Sequence, residues 1–333
     1  MKLLVILIKK RNLKIVINRL LSGDKGFRAY SGIPTFLRSK SVRELDNVKA
    51  DYAVVGVPYD EGSPFIGGSR FCARSLREHS LRFGGGALFD IDANKEYLRD
   101  SISKDRLVDI GDIDISPSRG DKSMEKLTKT IEILLEKKVL PIVLGGDHTL
   151  TYPTVRAYKN PIHVIQLDAH MDYSKPLEGM EYVNSTSFRL LHQLENVKSL
   201  TQIGIRSMRD EKENVNDARA NGSNIISVSK ARKQGLESLL YDLNKGGDCY
   251  VSIDVDAYDM SLVPGCVSAE PGGFQFEEIK RILKNIAERM NVIGFDFVEV
   301  NPPLDVGTGA TSYLGALTVA MFLGFIDAKK FNY

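Results

Sequence analysis

The sequence has few cysteines, little net charge, no internal repeat and no low-complexity tract. Cys72, Cys249 and Cys266 are far apart and odd in number, which excludes a zinc-binding spacing and a disulfide framework and fits a reducing cytosol. The formal net charge of +2 gives no reason to expect a nucleic-acid or anionic membrane surface. A hydrophobic content of 43% is typical of a globular protein. We therefore expect a cytoplasmic protein without nucleic-acid or membrane partners.

The N-terminal stretch "MKLLVILIKK" faintly resembles a targeting signal. Its apolar run is short, stops at Lys9-Lys10-Arg11 and has no small-residue cleavage site after it. We therefore expect a basic extension over residues 1–25 that packs on the body or on a neighbouring subunit. We expect no later segment to be apolar over the length that crosses a bilayer. No linker divides the remainder, so we predict a single domain over residues 26–333.

Short apolar runs alternate with helical patterns along the chain. Runs over 51–58, 140–148, 162–170, 199–207, 249–256 and 291–302 each contain a buried-strand pattern that ends in Gly, Asp or Pro. Residues 122–138 and 276–290 have apolar residues at helical spacing; in the first, Met124, Leu127, Ile131, Leu134 and Leu135 recur at threes and fours. This alternation predicts an α/β protein with a mostly parallel sheet that helices cover on both faces.

Acids and imidazoles follow several of these predicted strands. The stretches "GGDHT" (145–149), "DAHMD" (168–172) and "SIDVDAYD" (252–259), and the acid in "FVEVNP" (297–302), each begin where an apolar run ends. A lone aspartate in such a place is usually a helix cap or turn residue. Four clusters of this kind would meet at the carboxyl edge of a parallel sheet, which is where ligands bind in open α/β folds.

The residue types in these clusters suit hard divalent cations. The candidate metal ligands are His148, Asp168, His170, Asp172, Asp254 and Asp256. Four clustered carboxylates cannot all stay ionised without compensating charge, and two divalent cations would supply it. Oxygen-rich ligation with two imidazoles and no thiolate favours Mn²⁺ over structural zinc. Two such ions can lower the pKa of a water held between them, so the pattern indicates a hydrolytic binuclear centre.

At these motifs the chain resembles the ureohydrolases, the arginase and agmatinase family. The resemblance covers about residues 30–330 and also includes "GVPYDEGSPFIGGSRFCARSLRE" (56–78), "VDIGDID" (108–114), "IGIRS" (203–207), "PGCVSAEPGG" (264–273) and "DFVEVNPPLD" (296–305). The first and last of these look more like agmatinase than arginase. The resemblance implies a three-layer α/β/α domain around an eight-stranded, mostly parallel sheet.

The resemblance also implies a site and an activity. Two Mn²⁺ ions per chain would be held by the six candidate ligands, with Asp168 and Asp254 bridging. Glu299 matches the acid that receives the substrate guanidinium, and Asp172 would accept a hydrogen bond from the attacking hydroxide and move a proton toward the leaving amine. The implied reaction converts agmatine to putrescine and urea, a step of polyamine biosynthesis. A homotrimer or homohexamer is expected.

Three positions depart from the family pattern. Asn184 stands where the family has a histidine thought to shuttle protons or hold the substrate, and an amide does not titrate near neutral pH. Met260 replaces a proline, and Ser268 stands where a threonine hydroxyl is usual. Asn184 therefore leaves open a weakly active metal-binding homologue.

The substrate is also left open by the sequence. Arginase, guanidinobutyrase and other guanidino-acid hydrolases remain alternatives to agmatinase. They differ in what holds the far end of the substrate. We expect that role in the loop 173–183, with Lys175, Glu178 and Glu181 as candidates.

Overall fold

A parallel β-sheet runs through the part of the chain that the structure describes. The computed structural model describes residues 28–83, 85, 87–176, 182–239 and 246–333. The extension predicted over residues 1–25 lies outside the described residues. The described strands are β1 (Lys40–Ser41), β2 (Tyr52–Gly56), β3 (Leu88–Asp90), β4 (Lys95–Tyr97), β5 (Leu107–Asp112), β6 (Leu140–Leu144), β7 (Ile162–Leu167), β8 (Val197–Ile203), β9 (Asn224–Ile226), β10 (Asp248–Asp254) and β11 (Asn291–Val298).

Nine of these strands form one sheet in the order β1-β5-β2-β6-β11-β10-β7-β8-β9, and β3 and β4 form a separate antiparallel pair. Every neighbouring pair in the large sheet is parallel. The mostly parallel sheet is confirmed, with nine strands rather than the eight expected. The edge strands β1 and β9 have two and three residues, which is too short to leave an apolar pattern in the sequence.

Helices cover both faces of the sheet. The described helices are α1 (Cys72–Ser80), α2 (Arg99–Ser103), α3 (Gly120–Glu136), α4 (Thr151–Arg156), α5 (Ser187–His192), α6 (Lys212–Ala220), α7 (Val228–Gln234), α8 (Phe276–Arg289) and α9 (Ala310–Phe331). One apolar core lies between the sheet and α1, α7, α8 and α9, and a second lies between the other face and α3, α4, α5 and α6. This arrangement confirms the three-layer α/β/α architecture.

The local sequence explains the main elements. All six residues of β7 are buried, as expected for a parallel strand covered on both faces. The buried apolar residues of α3 recur every three or four positions, at Met124, Leu127, Ile131 and Leu134. At the start of α8 the Glu278 side chain accepts a hydrogen bond from the Gln275 backbone N–H at 2.8 Å, which forms a capping box.

The C-terminal helix α9 corrects one expectation from the sequence. It is long and apolar enough to cross a membrane by length and composition, but 78% of its most apolar window is buried inside the protein. Its residues Val319, Phe322 and Leu323 belong to the first apolar core. The apolar character of α9 is therefore explained by packing against the sheet and α8.

Candidate metal centre

Four neighbouring strands bring the predicted ligands to one edge of the sheet. His148 follows β6, Asp168 and His170 follow β7, Asp254 ends β10, and Glu299 follows β11. These strands are adjacent in the order β6-β11-β10-β7. Because the carboxyl ends of parallel strands share an edge, side chains distant in sequence converge there. The structure brings all six predicted ligands together at this edge.

The first ligand group surrounds a buried imidazole nitrogen. His148 Nδ1 lies 3.0 Å from Asp168 Oδ2, 3.0 Å from Asp172 Oδ2 and 3.2 Å from Asp254 Oδ2. Nδ1 is nevertheless without a hydrogen bond of good geometry. A buried polar atom in that state costs stability unless something else binds it. Three carboxylate oxygens and one imidazole nitrogen that converge in this way suit a divalent cation.

The ring of His148 is oriented so that Nδ1 carries the lone pair. Nε2 lies 2.8 Å from Ser252 Oγ, and Ser252 Oγ donates to Asp296 Oδ1 at 2.7 Å. Since the hydroxyl proton is used on Asp296, Nε2–H donates to Ser252 and leaves Nδ1 of the neutral ring unprotonated. Metal-binding histidines are commonly held by such a hydrogen bond from their other ring nitrogen.

A second ligand group lies beside the first and shares Asp168 with it. His170 Nδ1 is 2.9 Å from Asp256 Oδ2 and 3.6 Å from Asp168 Oδ1. Asp168 thus presents Oδ2 to the first group and Oδ1 to the second, which is the arrangement of a bridging carboxylate. Asp254 and Asp256 lie within the same small space. The two ligand groups, around His148 and His170, therefore suit two adjacent cations.

Negative charge accumulates at this edge of the sheet. Burial and the neighbouring Asp168 carboxylate raise the pKa of Asp172 to about 6. Burial and the Asp256 carboxylate raise the pKa of Asp254 well above its usual range. Burial alone would lower the pKa of His170, but the carboxylates around it raise that pKa to about 12. Cations placed among these carboxylates would relieve their repulsion.

Cys266 lies close to the second group but is a poor ligand. Its Sγ is near carboxylate oxygens of Asp254 and Asp256. Burial and the adjacent carboxylates raise the pKa of the Cys266 thiol well above its usual range. Because metals bind the thiolate rather than the thiol, we do not include Cys266 among the ligands.

Two residues of the site have a left-handed backbone. Asp172 has φ of 46° and Glu299 has φ of 66°. Such values are uncommon for residues other than glycine, and they concentrate at functional sites. At both positions the backbone turns sharply after a strand-end segment, and the carboxylate comes to line the same cavity.

Glu299 is fixed by two hydrogen bonds to the same oxygen. Glu299 Oε1 accepts from the His148 backbone N–H at 2.9 Å and from Asn184 Nδ2 at 3.2 Å. Asn184 Oδ1 in turn accepts from the Ser185 backbone N–H at 2.7 Å. Burial and the Asp147 carboxylate raise the pKa of Glu299 to about 8. These contacts leave Oε2 of Glu299 to accept from a ligand.

The ligand groups open into a cavity of about 490 Å³. Asp172, Asn184 and Glu299 line it together with residues from three loops, among them Phe65, Arg209, Ser268 and Glu270. A larger, mainly apolar cavity of about 670 Å³ lies at the opposite ends of the strands and contains none of the predicted site residues.

The loop expected to read the far end of the substrate is only partly described. Lys175 pairs with Glu213 at 2.5 Å and does not line the cavity. Glu178 and Glu181 lie outside the described residues. Ser174 of this loop lines the cavity, together with Arg209 and Glu270 from other parts of the chain.

Sequence reasoning missed a polar row beneath the ligands. The row crosses four strands in register, Gln202 beside Gln166, Gln166 beside Ser252, and Ser252 beside Asp296. Gln166 Nε2 donates to Asp168 Oδ2 at 2.7 Å, and Gln202 Nε2 donates to Gln166 Oε1 at 2.6 Å. The available signal was a polar residue inside an apolar run, two positions before the strand-end acid in β7 and β10.

The chain matches the family model described as the arginase family over residues 50–324. It belongs to the arginase family. Arginase 1, mitochondrial, of Arabidopsis thaliana is 32% identical over 294 residues, which cover 85% of this chain and 83% of that protein. Guanidinobutyrase of Pseudomonas aeruginosa is 31% identical over 311 residues, which cover 88% of this chain and 92% of that protein.

A solved structure of another arginase-family hydrolase shares the fold. Proclavaminate amidinohydrolase from Streptomyces clavuligerus superposes with a TM-score of 0.82 at 28% identity, covering 90% of this chain and 99% of that one. The relatives named here act on different guanidino compounds. Membership of the arginase family therefore identifies an amidinohydrolase without identifying its substrate.

Proposed function

We propose that this arginase-family chain is an amidinohydrolase that binds two Mn²⁺ ions and hydrolyses a guanidino substrate to urea and an amine. The observation that carries the proposal is the unpartnered, buried Nδ1 of His148, which faces three carboxylate oxygens at 3.0–3.2 Å. The second group around His170 and Asp256 supports an adjacent ion.

The residues present suit manganese. The first ion would be held by His148, Asp168, Asp172 and Asp254. The second would be held by His170, Asp168, Asp254 and Asp256. Carboxylates and imidazoles without a thiolate are the ligand set that Mn²⁺ accepts. When bound, the ions would supply an activated water for attack on the guanidinium carbon.

The other steps depend on side chains of this chain. Glu299 would bind the substrate guanidinium through Oε2, since its Oε1 is occupied by His148 N and Asn184. Asp172 would take the proton that the water gives up as it forms the new C–O bond, and deliver it to the amine nitrogen as the C–N bond breaks. Both carboxylates are largely buried in the cavity wall, which limits the contact of bulk water with them.

Two substrates are candidates. Agmatine, which would yield putrescine, is the substrate that the sequence motifs predict. A guanidino acid such as 4-guanidinobutyrate is favoured by a specific observation, the Arg209 guanidinium in the cavity wall. The similarity to a guanidinobutyrase supports the same candidate.

Urea release after manganese loading tests the proposal. Protein stripped with a chelator and reloaded with Mn²⁺ should release urea from at least one of agmatine, arginine and 4-guanidinobutyrate, and the stripped protein should not; formamide release from formimidoylglutamate is measured beside them. Elemental analysis should find two Mn²⁺ per chain, and anomalous scattering should place them beside Asp168 and Asp254. A single tight zinc ion, or no urea from any substrate, would contradict the proposal. A homotrimer or homohexamer and a cytoplasmic location stay predictions.

A further inference from the structure

Arg209 stands out among the side chains that line the active-site cavity. It lies on the loop between β8 and α6, and among the described lining residues it provides the one guanidinium or ammonium group. Its side chain is 61% exposed, so a molecule in the cavity can reach it. The metal-binding and proton-transfer roles proposed above do not use this residue.

Glu270 anchors the base of the Arg209 guanidinium. Arg209 Nε donates to Glu270 Oε1 at 3.1 Å, and Glu270 Oε1 also accepts from Ser207 Oγ at 3.0 Å. Arg209 Nη2 lies 3.4 Å from the Ser268 carbonyl oxygen. The side chain is therefore held at the wall by its inner nitrogen, while its outer nitrogens stay near the cavity.

The outer nitrogen of Arg209 currently contacts a predicted metal ligand. Arg209 Nη2 lies 2.5 Å from His170 Nε2, and His170 Nε2 also lies 3.4 Å from Glu270 Oε1. Arg209 and His170 both line the cavity. The outer end of the guanidinium is therefore at the border between the ligand groups and the open part of the cavity.

We propose that Arg209 binds a carboxylate at the far end of the substrate and so selects guanidino acids over agmatine. The inference rests on the proposed function and names the substrate class of the same site. Apart from Asp210, the acids that line the described part of the cavity are already assigned. Asp172, Asp254 and Asp256 are assigned to the cations, Glu299 to the substrate guanidinium and Glu270 to Arg209. An arginine binds a carboxylate through two parallel charge-assisted hydrogen bonds and repels an ammonium group.

Asp210 is the residue that an ammonium group would use instead. It also lines the cavity, but its unpartnered Oδ2 is buried. Arg209 is the more exposed of the two neighbours and offers several N–H groups. Arg209 would favour a substrate that ends in a carboxylate, and Asp210 would favour one that ends in an ammonium group. Variants at the two positions therefore distinguish these substrate classes.

The test compares two substrates of similar length and opposite terminal charge. Urea release from 4-guanidinobutyrate and from agmatine is measured with Mn²⁺-loaded wild-type protein, Arg209→Gln, Arg209→Lys and Asp210→Asn. Lys212→Gln is the matched control, because Lys212 is an exposed cation of the same segment that does not line the cavity. Binding of both compounds is measured in parallel by isothermal titration calorimetry.

We expect wild-type kcat/KM to be higher for 4-guanidinobutyrate than for agmatine by roughly 10- to 100-fold, the value of one charge-assisted contact. Arg209→Gln should remove that advantage mainly through KM, since a distal contact acts equally on the ground and transition states. Arg209→Lys should keep part of it. Lys212→Gln should leave the preference unchanged, and Asp210→Asn should not reduce it.

The outcomes separate the inference from the proposed function. A wild-type preference for agmatine that Asp210→Asn abolishes would overturn the role of Arg209 while urea release still supported the amidinohydrolase. An equal effect of Arg209→Gln on both substrates would also overturn it. If no substrate released urea, the proposed function would fail, and calorimetry would decide the inference. Tighter binding of 4-guanidinobutyrate than agmatine, lost in Arg209→Gln, would support it, and the absence of that difference would overturn it.

Discussion

Asn184 offers the sharpest test of how protons move in this site. Its Nδ2 donates to Glu299 Oε1 at 3.2 Å, so the amide positions the carboxylate that we expect to bind the guanidinium. An amide cannot take up or release a proton near neutral pH. If proton transfer at this position limits the reaction, Asn184→His should raise kcat by about 10²–10⁴-fold, the usual scale for one positioned acid or base. Activity of the wild type should then be slow but manganese-dependent.

Asn184→Ala separates positioning from proton transfer. It removes one hydrogen bond to a buried carboxylate, which is worth roughly 1.5–3 kcal/mol and corresponds to about a 10- to 100-fold loss in kcat/KM. Asn184→Asp has nearly the same shape but places a second carboxylate at that 3.2 Å contact. The repulsion of two such charges is about 5 kcal/mol at an effective dielectric constant near 20, so one of them would take up a proton. We expect Asn184→Asp to be the least active of the three.

The assay is steady-state urea release with saturating Mn²⁺, with kcat and KM determined separately for each variant. Asn184→His should act mainly on kcat, and Asn184→Ala should lower kcat/KM. Manganese content should stay at the wild-type value in all of them, since no ligand is changed. A neutral or harmful effect of Asn184→His on kcat would refute the reasoning. It would show that another group, such as Asp172, already carries the proton.

Three further predictions concern the metal centre. Asp256→Asn should abolish urea release and reduce bound manganese to about one ion per chain, measured by elemental analysis; retention of two ions and activity would contradict the assigned ligands. Chelation should lower Tm by about 5–10 °C, since an ion at 100 times its Kd contributes about 2.7 kcal/mol; calorimetry with and without Mn²⁺ checks this, and an unchanged Tm would contradict a native metal site. Ser252→Ala should weaken manganese affinity by roughly 10- to 100-fold, because Nε2 of His148 loses the partner that fixes its tautomer; equal affinity in a titration would show that the ring needs no such support.

The sequence predicted the ligand cluster because each ligand belongs to a short motif that can be recognised by itself. An apolar run that ends in an acid or an imidazole can be read without knowing the fold, and the carboxyl-edge rule then places four such ends together. His148 and Asp254 are more than one hundred residues apart, yet their side chains lie 3.2 Å from each other. The parallel sheet and its helical layers could be predicted for the same reason, since each strand and helix has its own pattern of apolar residues.

The residues that line the substrate end of the cavity could not be predicted from the sequence in this way. Arg209 follows β8 in a polar loop, where a charged residue usually faces solvent. Its place in the cavity depends on how that loop folds back against Ser268 and Glu270, which are about sixty residues further along the chain. The sequence predicted this role for the loop 173–183, with Lys175, Glu178 and Glu181 as candidates, and the structure pairs Lys175 with Glu213.

The polar row shows why the order of strands matters for the chemistry. Ser252 and Asp296 are buried polar residues in otherwise apolar strands, and each alone would destabilise its strand. The neighbouring positions of β10 and β11 bring them into register, so that Asp296 accepts from Ser252 at 2.7 Å and from Tyr250 at 2.8 Å. Those hydrogen bonds satisfy the buried carboxylate and leave Ser252 as the acceptor for His148. A strand order that separated β10 from β11 would remove the Ser252 and Tyr250 hydrogen bonds to Asp296 and leave only that of Thr151 among those described. The tautomer of the metal ligand is thus determined by the topology of the sheet as much as by the ligand motif itself.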